Sequence, residues 1–260
     1  MTGTLPSLDA HAHLAPKLST ADLAGTGSVC AMTLGLVEAA GVADRREQAV
    51  VWGPGCHPRR LKEQQYFDPG LFRKLAERSA VIGEIGLDGG WARVYGVAPL
   101  SLQLANFRAE LTALRDLPRF VSIHSFRATR AVLDELRRQP IRVPVLHWWT
   151  GSAAETSEAV ELGCYFSVHS AVARQSKWRT RVPLERILVE SDHGYADPPA
   201  AIPCRIEWVE HLVGQQYGIP AHAVREAVWR NFGAIVRETA TAALLPEGMR
   251  EGRDRDGLPA

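Results

Sequence analysis

The sequence has few cysteines, few lysines and almost no net charge. Its four cysteines are scattered and form no Cys-x-x-Cys pair, so we expect a reduced, cytoplasmic protein. Only four of the 30 basic residues are lysine, a bias that the composition of the source genome explains. Phosphate or carboxylate contact through bidentate guanidinium groups is the alternative explanation. With a formal net charge of +1, the chain has no global basic field that would indicate a nucleic-acid partner.

Long apolar runs are also missing. No segment reaches the length that a membrane helix needs, so we expect no membrane partner. The first ten residues, MTGTLPSLDA, lack the basic and apolar regions of a secretory signal. The 260 residues, 46% of them apolar, suit one large domain, which we place at residues 1–245. Residues 246–260 are expected to form a polar C-terminal tail at the surface.

Short apolar runs alternate with segments of helical periodicity along the whole chain. The predicted strands are Leu5–Leu14, Ser28–Leu34, Ala49–Cys56, Ala80–Leu87, Phe120–Ile123, Val143–His147, Cys164–Val168 and Arg186–Glu190. One helix is predicted to begin at a capping box, Ser152 to Glu155, and two more near Arg205–Tyr217 and Ala221–Thr239 close the chain. Eight βα repeats in one domain predict an α/β fold, the (β/α)8 TIM barrel. An open doubly wound sheet is disfavoured, because no glycine-rich phosphate loop follows the first strand.

Imidazoles and carboxylates fall at the ends of the predicted strands. His11 and His13 are two residues apart, which puts both side chains on the same face of an extended segment. The other candidates end later strands: Glu84, His124, His147 and Asp192. In a parallel barrel these ends meet at one mouth, the C-terminal face of the strands. Imidazole and carboxylate together bind zinc, manganese and iron. Six such groups exceed the needs of one tetrahedral ion and predict two divalent ions, with Glu84 as the bridge.

The remaining histidines receive other interpretations. His57 stands in Gly-Cys-His-Pro after the third strand, where we expect it to close a loop. Histidines away from the strand ends are expected to be structural or exposed: His169, His193, His211 and His222. Asp9 is expected to support the neighbouring histidines or to cap the strand locally.

The order of the motifs HxH, GEIGLD, HS, LHWWTGS and ESD resembles that of the TatD-like metal-dependent hydrolases, metallo-(β/α)8 barrels of the amidohydrolase superfamily. The resemblance covers roughly Leu8 to Val236. GCHP is similar to the family's GxHP, and Gln103 and Phe107 match its Q-x-x-x-F helix. The resemblance implies two divalent ions, Mg²⁺, Mn²⁺ or Zn²⁺. One would be held by His11, His13, Glu84 and Asp192, and the other by Glu84, His124 and His147.

The chain departs from the family pattern at three strand ends. The fifth strand runs into HSFR where the family often has HSR, so the arginine is displaced by one position. The sixth runs into HWWTG, with two indoles in place of smaller residues. The eighth runs into SDHG where the family has D-A-P. The predicted metal ligands are unchanged, but the rim of the pocket differs.

By this resemblance the protein is a TatD-type deoxyribonuclease that cleaves DNA phosphodiester bonds with a metal-activated water. Asp192 and Glu84 are the catalytic candidates. Asp192 either accepts a proton from the attacking water or serves only as a ligand. The expected partner is DNA, single-stranded or at ends, bound by Arg127, Trp148, Trp149 and Tyr195. Packing between barrel and loop is the equal alternative for Trp148 and Trp149. Trp178 and the basic run at residues 174–181 are further candidates for holding the strand.

Two alternatives stay open at this point. The metal site can serve a small-molecule ester, lactone or amide, which the near-neutral charge and the altered rim favour. The barrel can instead be a non-catalytic subunit of a multi-protein system that keeps its metals for folding. That interpretation predicts bound metal without turnover and an exposed apolar patch.

Overall fold

A computed structural model describes residues 5–90, 97–175, 182–194 and 206–254. Within these ranges, every predicted strand is confirmed to within a few residues at each end. The strands are β1 Leu8–Ala12, β2 Ser28–Met32, β3 Val50–Gly53, β4 Val81–Gly86, β5 Phe120–His124, β6 Val143–Leu146, β7 Tyr165–Val168 and β8 Ile187–Val189. All pair in parallel, as expected of β-branched apolar runs that are buried on both faces.

The strands form two hydrogen-bonded groups in chain order, β1-β2-β3 and β4-β5-β6-β7-β8. Two seams join the groups into a closed barrel. At the β3/β4 seam, the Gly83 N–H donates to the Pro54 carbonyl at 3.1 Å. The Thr33 N–H reaches the Gly53 and Gly83 carbonyls at 3.0 Å each, and the Glu84 N–H donates to the Thr33 carbonyl at 3.3 Å. This seam is therefore closed by the carboxyl end of β3, the residue after β2 and the middle of β4.

The β8/β1 seam is closed in a similar way. The Asp192 N–H donates to the His11 carbonyl at 3.0 Å, and the His13 N–H donates to the His193 carbonyl at 2.6 Å. Both bonds lie at or beyond the carboxyl ends of the strands, where the predicted site residues stand. The (β/α)8 barrel expected from the strand count is therefore present, and residues of the predicted site take part in both closures.

Helices surround the strands: α1 Leu36–Val42, α2 Leu61–Gln65, α3 Pro69–Glu77, α4 Leu100–Leu114, α5 Thr129–Arg138, α6 Ala153–Glu161, α7 Ser170–Ala173, α8 Glu207–Tyr217, α9 Ala221–Thr239 and α10 Glu247–Asp254. Their starts follow local sequence. Ser152 and Glu155 form the predicted capping box at α6, and the Asp68 carboxylate accepts two N–H bonds at the start of α3. None of these helices is both long enough and apolar enough to cross a membrane.

The core lies between the strands and the helix ring. Its largest fully buried side chains are Trp229, Phe72, Phe107, Phe120, Phe166 and Phe232. Helix α9 supplies two of them and also fixes the start of the chain, because the Trp229 Nε1–H donates to the Pro6 carbonyl at 2.8 Å. The chain segment that leads into β1, and hence to His11 and His13, is thereby held in place.

The C-terminal segment differs from the expected surface tail. Residues Glu247–Asp254 form helix α10, and Met249 on it is fully buried. The Gly248 N–H donates to the Gln48 carbonyl at 2.8 Å. Gly252 lies so close to Trp229 that a Cβ there would stand 2.6 Å from the indole. One apolar side chain and two close glycine contacts therefore dock a polar sequence onto the barrel.

Candidate metal centre

Glu84 lies at the centre of a buried cluster at the carboxyl end of the barrel. It comes from β4 and is fully buried. Its Oε1 is 2.5 Å from His124 Nδ1 and 2.8 Å from His147 Nε2. Its Oε2 is 3.1 Å from His13 Nε2 and 3.6 Å from His11 Nε2. The structure thus brings together the side chains that the sequence proposed as metal ligands: His11, His13, Glu84, His124, His147 and Asp192.

Asp192 completes one side of the cluster. Its Oδ1 is 3.6 Å from His11 Nε2 and 3.7 Å from His13 Nε2. This oxygen is buried, and among the described residues it has no hydrogen-bond partner. A buried carboxylate oxygen without a partner is costly unless a cation neutralises it. The nitrogens of His11 and His13 and this oxygen lie within 4.8 Å of one another, a spacing that suits one ion.

A second group of donors shares the same space. Atoms of Glu84, His124 and His147 also lie within 4.8 Å of one another. One carboxylate and two imidazoles form a ligand set typical of divalent transition metals. The donor chemistry of both groups therefore fits divalent cations.

His57 belongs to this cluster, and the expectation that it merely closes a loop is wrong. It is 3% exposed, and its Nε2 is 3.2 Å from Glu84 Oε2. With His13 and Glu84 it forms a further group of donors that can hold an ion. The Gly55 backbone makes this placement possible, because a Cβ there would stand 2.3 Å from the Gly83 carbonyl carbon. Two features of the sequence could have predicted this role for His57: its position after β3 and the GCHP motif.

Two carboxylates that the sequence analysis did not assign orient the ligands from behind. Asp88 Oδ2 is 2.9 Å from His124 Nε2. The fully buried Glu190 lies 3.4 Å from His147 Nδ1 through its Oε1, which also accepts the Trp148 N–H at 2.9 Å. Such partners fix the ring orientation and tautomer of a ligating histidine.

Other polar partners hold the HxH motif. Ser122 Oγ is 2.7 Å from His11 Nδ1, and His13 Nδ1 donates to the Met32 carbonyl at 3.0 Å. Asp9 accepts the Ser191 N–H at 3.0 Å and its hydroxyl at 2.5 Å, and it also accepts the His11 N–H at 3.2 Å. Asp9 thus supports His11 and at the same time ties β1 to the chain after β8.

Burial and charge set the protonation of the cluster. Burial alone would raise the pKa of Glu84, but His57, His147 and His124 outweigh it and hold that pKa well below its usual range. Burial lowers the pKa of His11 to about 4. Burial also raises the pKa of Asp192 to about 7, against the opposing effect of nearby imidazoles. A neutral imidazole, a permanent carboxylate and a carboxyl that titrates near neutrality therefore meet in one pocket.

The predicted substrate-binding residues differ in their exposure. Trp149 is 4% exposed, packs on Phe166, and donates its Nε1–H to Thr156 Oγ1 at 2.9 Å. It therefore fills the space between barrel and helix and does not face the mouth. Trp148 is half-buried, with its ring centroid 3.8 Å from that of His169. Arg127 is exposed at the rim. Tyr195, Trp178 and most of the run at 174–181 lie outside the described residues.

Backbone strain is concentrated at the same mouth. Arg127, Trp148 and Asp192 have φ values of +50°, +42° and +48°, a region that residues other than glycine rarely occupy. Each stands within three residues of the end of β5, β6 or β8. Strained non-glycine residues cluster at functional sites, so this pattern agrees with the position of the donor groups.

Comparisons with known proteins support one assignment. The model of the family described as TatD related DNase matches residues 8–237. An uncharacterized metal-dependent hydrolase, YcfH of Escherichia coli strain K12, is 30% identical over 158 residues. That match spans 57% of this chain and only 57% of the relative's length.

Solved structures show the same fold at lower identity. The TatD homolog YjjV from Escherichia coli K12 superposes with a TM-score of 0.73 at 20% identity, over 90% of this chain and 98% of that one. A TatD family hydrolase from Entamoeba histolytica gives 0.72 at 14% identity, over 89% and 98%. A family match across most of the chain, together with the buried histidine and carboxylate cluster, shows that the chain belongs to the family described as TatD related DNase.

Proposed function

We propose that this hydrolase is a TatD-type deoxyribonuclease that cleaves the phosphodiester bonds of DNA, in single strands or at ends. The carrying observation is the Glu84-centred cluster, in which one carboxylate faces two groups of ligand atoms. Two cations held by these groups would suit an in-line displacement, because both the attacking and the leaving oxygen need charge stabilisation.

His11, His13, Glu84 and Asp192 would hold one cation, and Glu84, His124 and His147 the other. Bound there, Mg²⁺, Mn²⁺ or Zn²⁺ supplies Lewis-acid polarisation of the phosphoryl oxygen and lowers the pKa of a water molecule. The unpartnered Asp192 Oδ1 supports this assignment, because the described side chains leave that buried oxygen without a donor.

The side chains themselves provide the proton chemistry. Asp192 lies beside His11 and His13, and its carboxylate is the candidate acceptor for the proton of the attacking water. Glu84 stays ionised, because the imidazoles around it hold its pKa low. Asp88 and Glu190 keep the rings of His124 and His147 oriented while these changes occur.

The test is hydrolysis of end-labelled single-stranded DNA with added Mg²⁺, Mn²⁺ or Zn²⁺. We expect shortened products that disappear with EDTA. Asp192→Asn should lose at least about 100-fold in rate, because proton transfer by a placed side chain contributes that much. Asp134→Asn, on the outer surface of α5, is the matched control and should behave as wild type.

Two outcomes would overturn the proposal. Intact DNA with every metal, combined with Asp192-dependent hydrolysis of a small ester or lactone, would assign the site to small molecules. The formal net charge of +1 favours that second candidate, because it provides no long-range attraction for a polyanion. Bound metal without hydrolysis of any ester, lactone or DNA would indicate a non-catalytic subunit.

A further inference from the structure

The loop after β5 places an exposed aromatic ring beside the metal centre. Phe126 is 42% exposed, although it stands only two residues beyond His124. The Gly89 N–H donates to the Phe126 carbonyl at 2.9 Å, which fixes the loop to the chain after β4. The ring rests on Gly90, where a Cβ would stand 2.5 Å from its Cε1 and 3.3 Å from Asp88 Oδ1. Because Asp88 also contacts His124, the ring is linked to the cluster through Gly90 and Asp88.

Arg127 extends this surface. Its guanidinium carbon lies 5.3 Å from the centroid of the Phe126 ring, within range of a cation–π contact. Among the described residues no carboxylate forms an ion pair with Arg127. Its φ of +50° is strained for a residue with a side chain. An exposed ring, an unneutralised guanidinium and a strained backbone stabilise the fold little, which points to a ligand.

We propose that Phe126 and Arg127 form a stacking platform for an unpaired nucleobase of the DNA strand whose phosphate occupies the metal centre. The flat ring offers a π-face to a base, and the adjacent guanidinium suits the phosphate next to that base. This inference rests on the proposed nuclease function and names its substrate class. In a duplex each base is covered on both faces by its neighbours, so the platform serves single strands or frayed ends.

The position of the ring agrees with the motif at this strand end. In HSFR, Phe126 stands where the TatD-like family often has arginine, and the arginine follows at position 127. The exchange places an aromatic ring at this position, while a guanidinium stays within one residue. A preference for strands that carry intact bases should follow from this exchange.

The decisive experiment compares two labelled strands, an oligothymidylate and the same strand with abasic sugars. Wild-type enzyme should prefer the strand with bases about tenfold in kcat/KM, mostly through KM, because stacking is lost on the abasic strand. Phe126→Ala should reduce this ratio to near one, and Phe126→Trp should restore it. Trp208→Ala removes a ring that is 52% exposed on α8 and serves as the control with an unchanged ratio.

The inference is overturned if wild type shows no preference, or if Phe126→Ala keeps the wild-type ratio. Failure of the proposed function is a separate result, recognised when wild type cleaves neither strand with any metal. In that case fluorescence anisotropy of a labelled oligothymidylate in Mg²⁺ decides. If Phe126→Ala binds the strand about tenfold more weakly than wild type, the stacking role of Phe126 is supported. If both bind equally, that role is refuted.

Discussion

Gln103 should prove to be a strong determinant of stability, although it lies outside the metal cluster. It stands on α4, is fully buried, and bonds only to backbone in the described structure. Its Oε1 accepts the Asp88 N–H at 2.7 Å, and its Nε2–H₂ donates to the Asp88 carbonyl at 3.2 Å and the Ala98 carbonyl at 2.8 Å. Gln103→Leu keeps the volume but removes the partner of three buried groups. At about 1–3 kcal/mol for each, non-additively, the free energy of unfolding should fall by roughly 3–5 kcal/mol.

Urea unfolding of wild type and variant at one pH measures this loss. Gln139→Leu is the matched control, because it removes one hydrogen bond from Thr112 on the surface and should cost about 1 kcal/mol or less. Titration with Mn²⁺ gives a second readout. A displaced Asp88 no longer orients His124, so cation affinity should drop about 10- to 100-fold. If Gln103→Leu unfolds like Gln139→Leu, the amide does not hold this turn and the reasoning fails.

Two further predictions concern the rest of the fold. Glu110 is 1% exposed, its Oε1 lacks a partner among the described residues, and burial raises its pKa well above the usual range. The folded state then keeps a proton that the unfolded chain releases, so the contribution of Glu110 to stability is greatest below a pH of about 4.3 and declines as pH rises. The urea midpoint of unfolding should decrease less between pH 5 and pH 8 for Glu110→Gln than for wild type. The exposed control Glu161→Gln should show the same decrease as wild type. Met249→Ala should lower the free energy of unfolding by about 2–5 kcal/mol in thermal or urea denaturation, and a loss below about 1 kcal/mol would mean that α10 is not docked.

Much of the fold follows from local sequence. The strands are short, mostly apolar segments of three to six residues, and a parallel barrel buries such segments on both faces. Glu84 is informative for the same reason. A carboxylate inside the otherwise apolar run Val81–Gly86 has no local partner, so its partners had to come from other strands.

The parts that sequence reasoning missed depend on contacts between distant segments. His57 looks like a loop residue until the close approach of Gly55 to β4 brings its ring to Glu84. Asp88 follows a strand as an ordinary polar residue, and only the fold shows that it lies behind His124. Trp149 faces the core because Thr156, on the following helix, accepts its indole N–H.

The cluster spans the two seams of the barrel. Asp192 reaches across the β8/β1 closure to His11, and Glu84 reaches across the β3/β4 closure to His57. Cations bound by these groups would link the strands across the two seams that separate the hydrogen-bonded strand groups. A related protein that lost the cation site would therefore also need other contacts to keep the barrel closed.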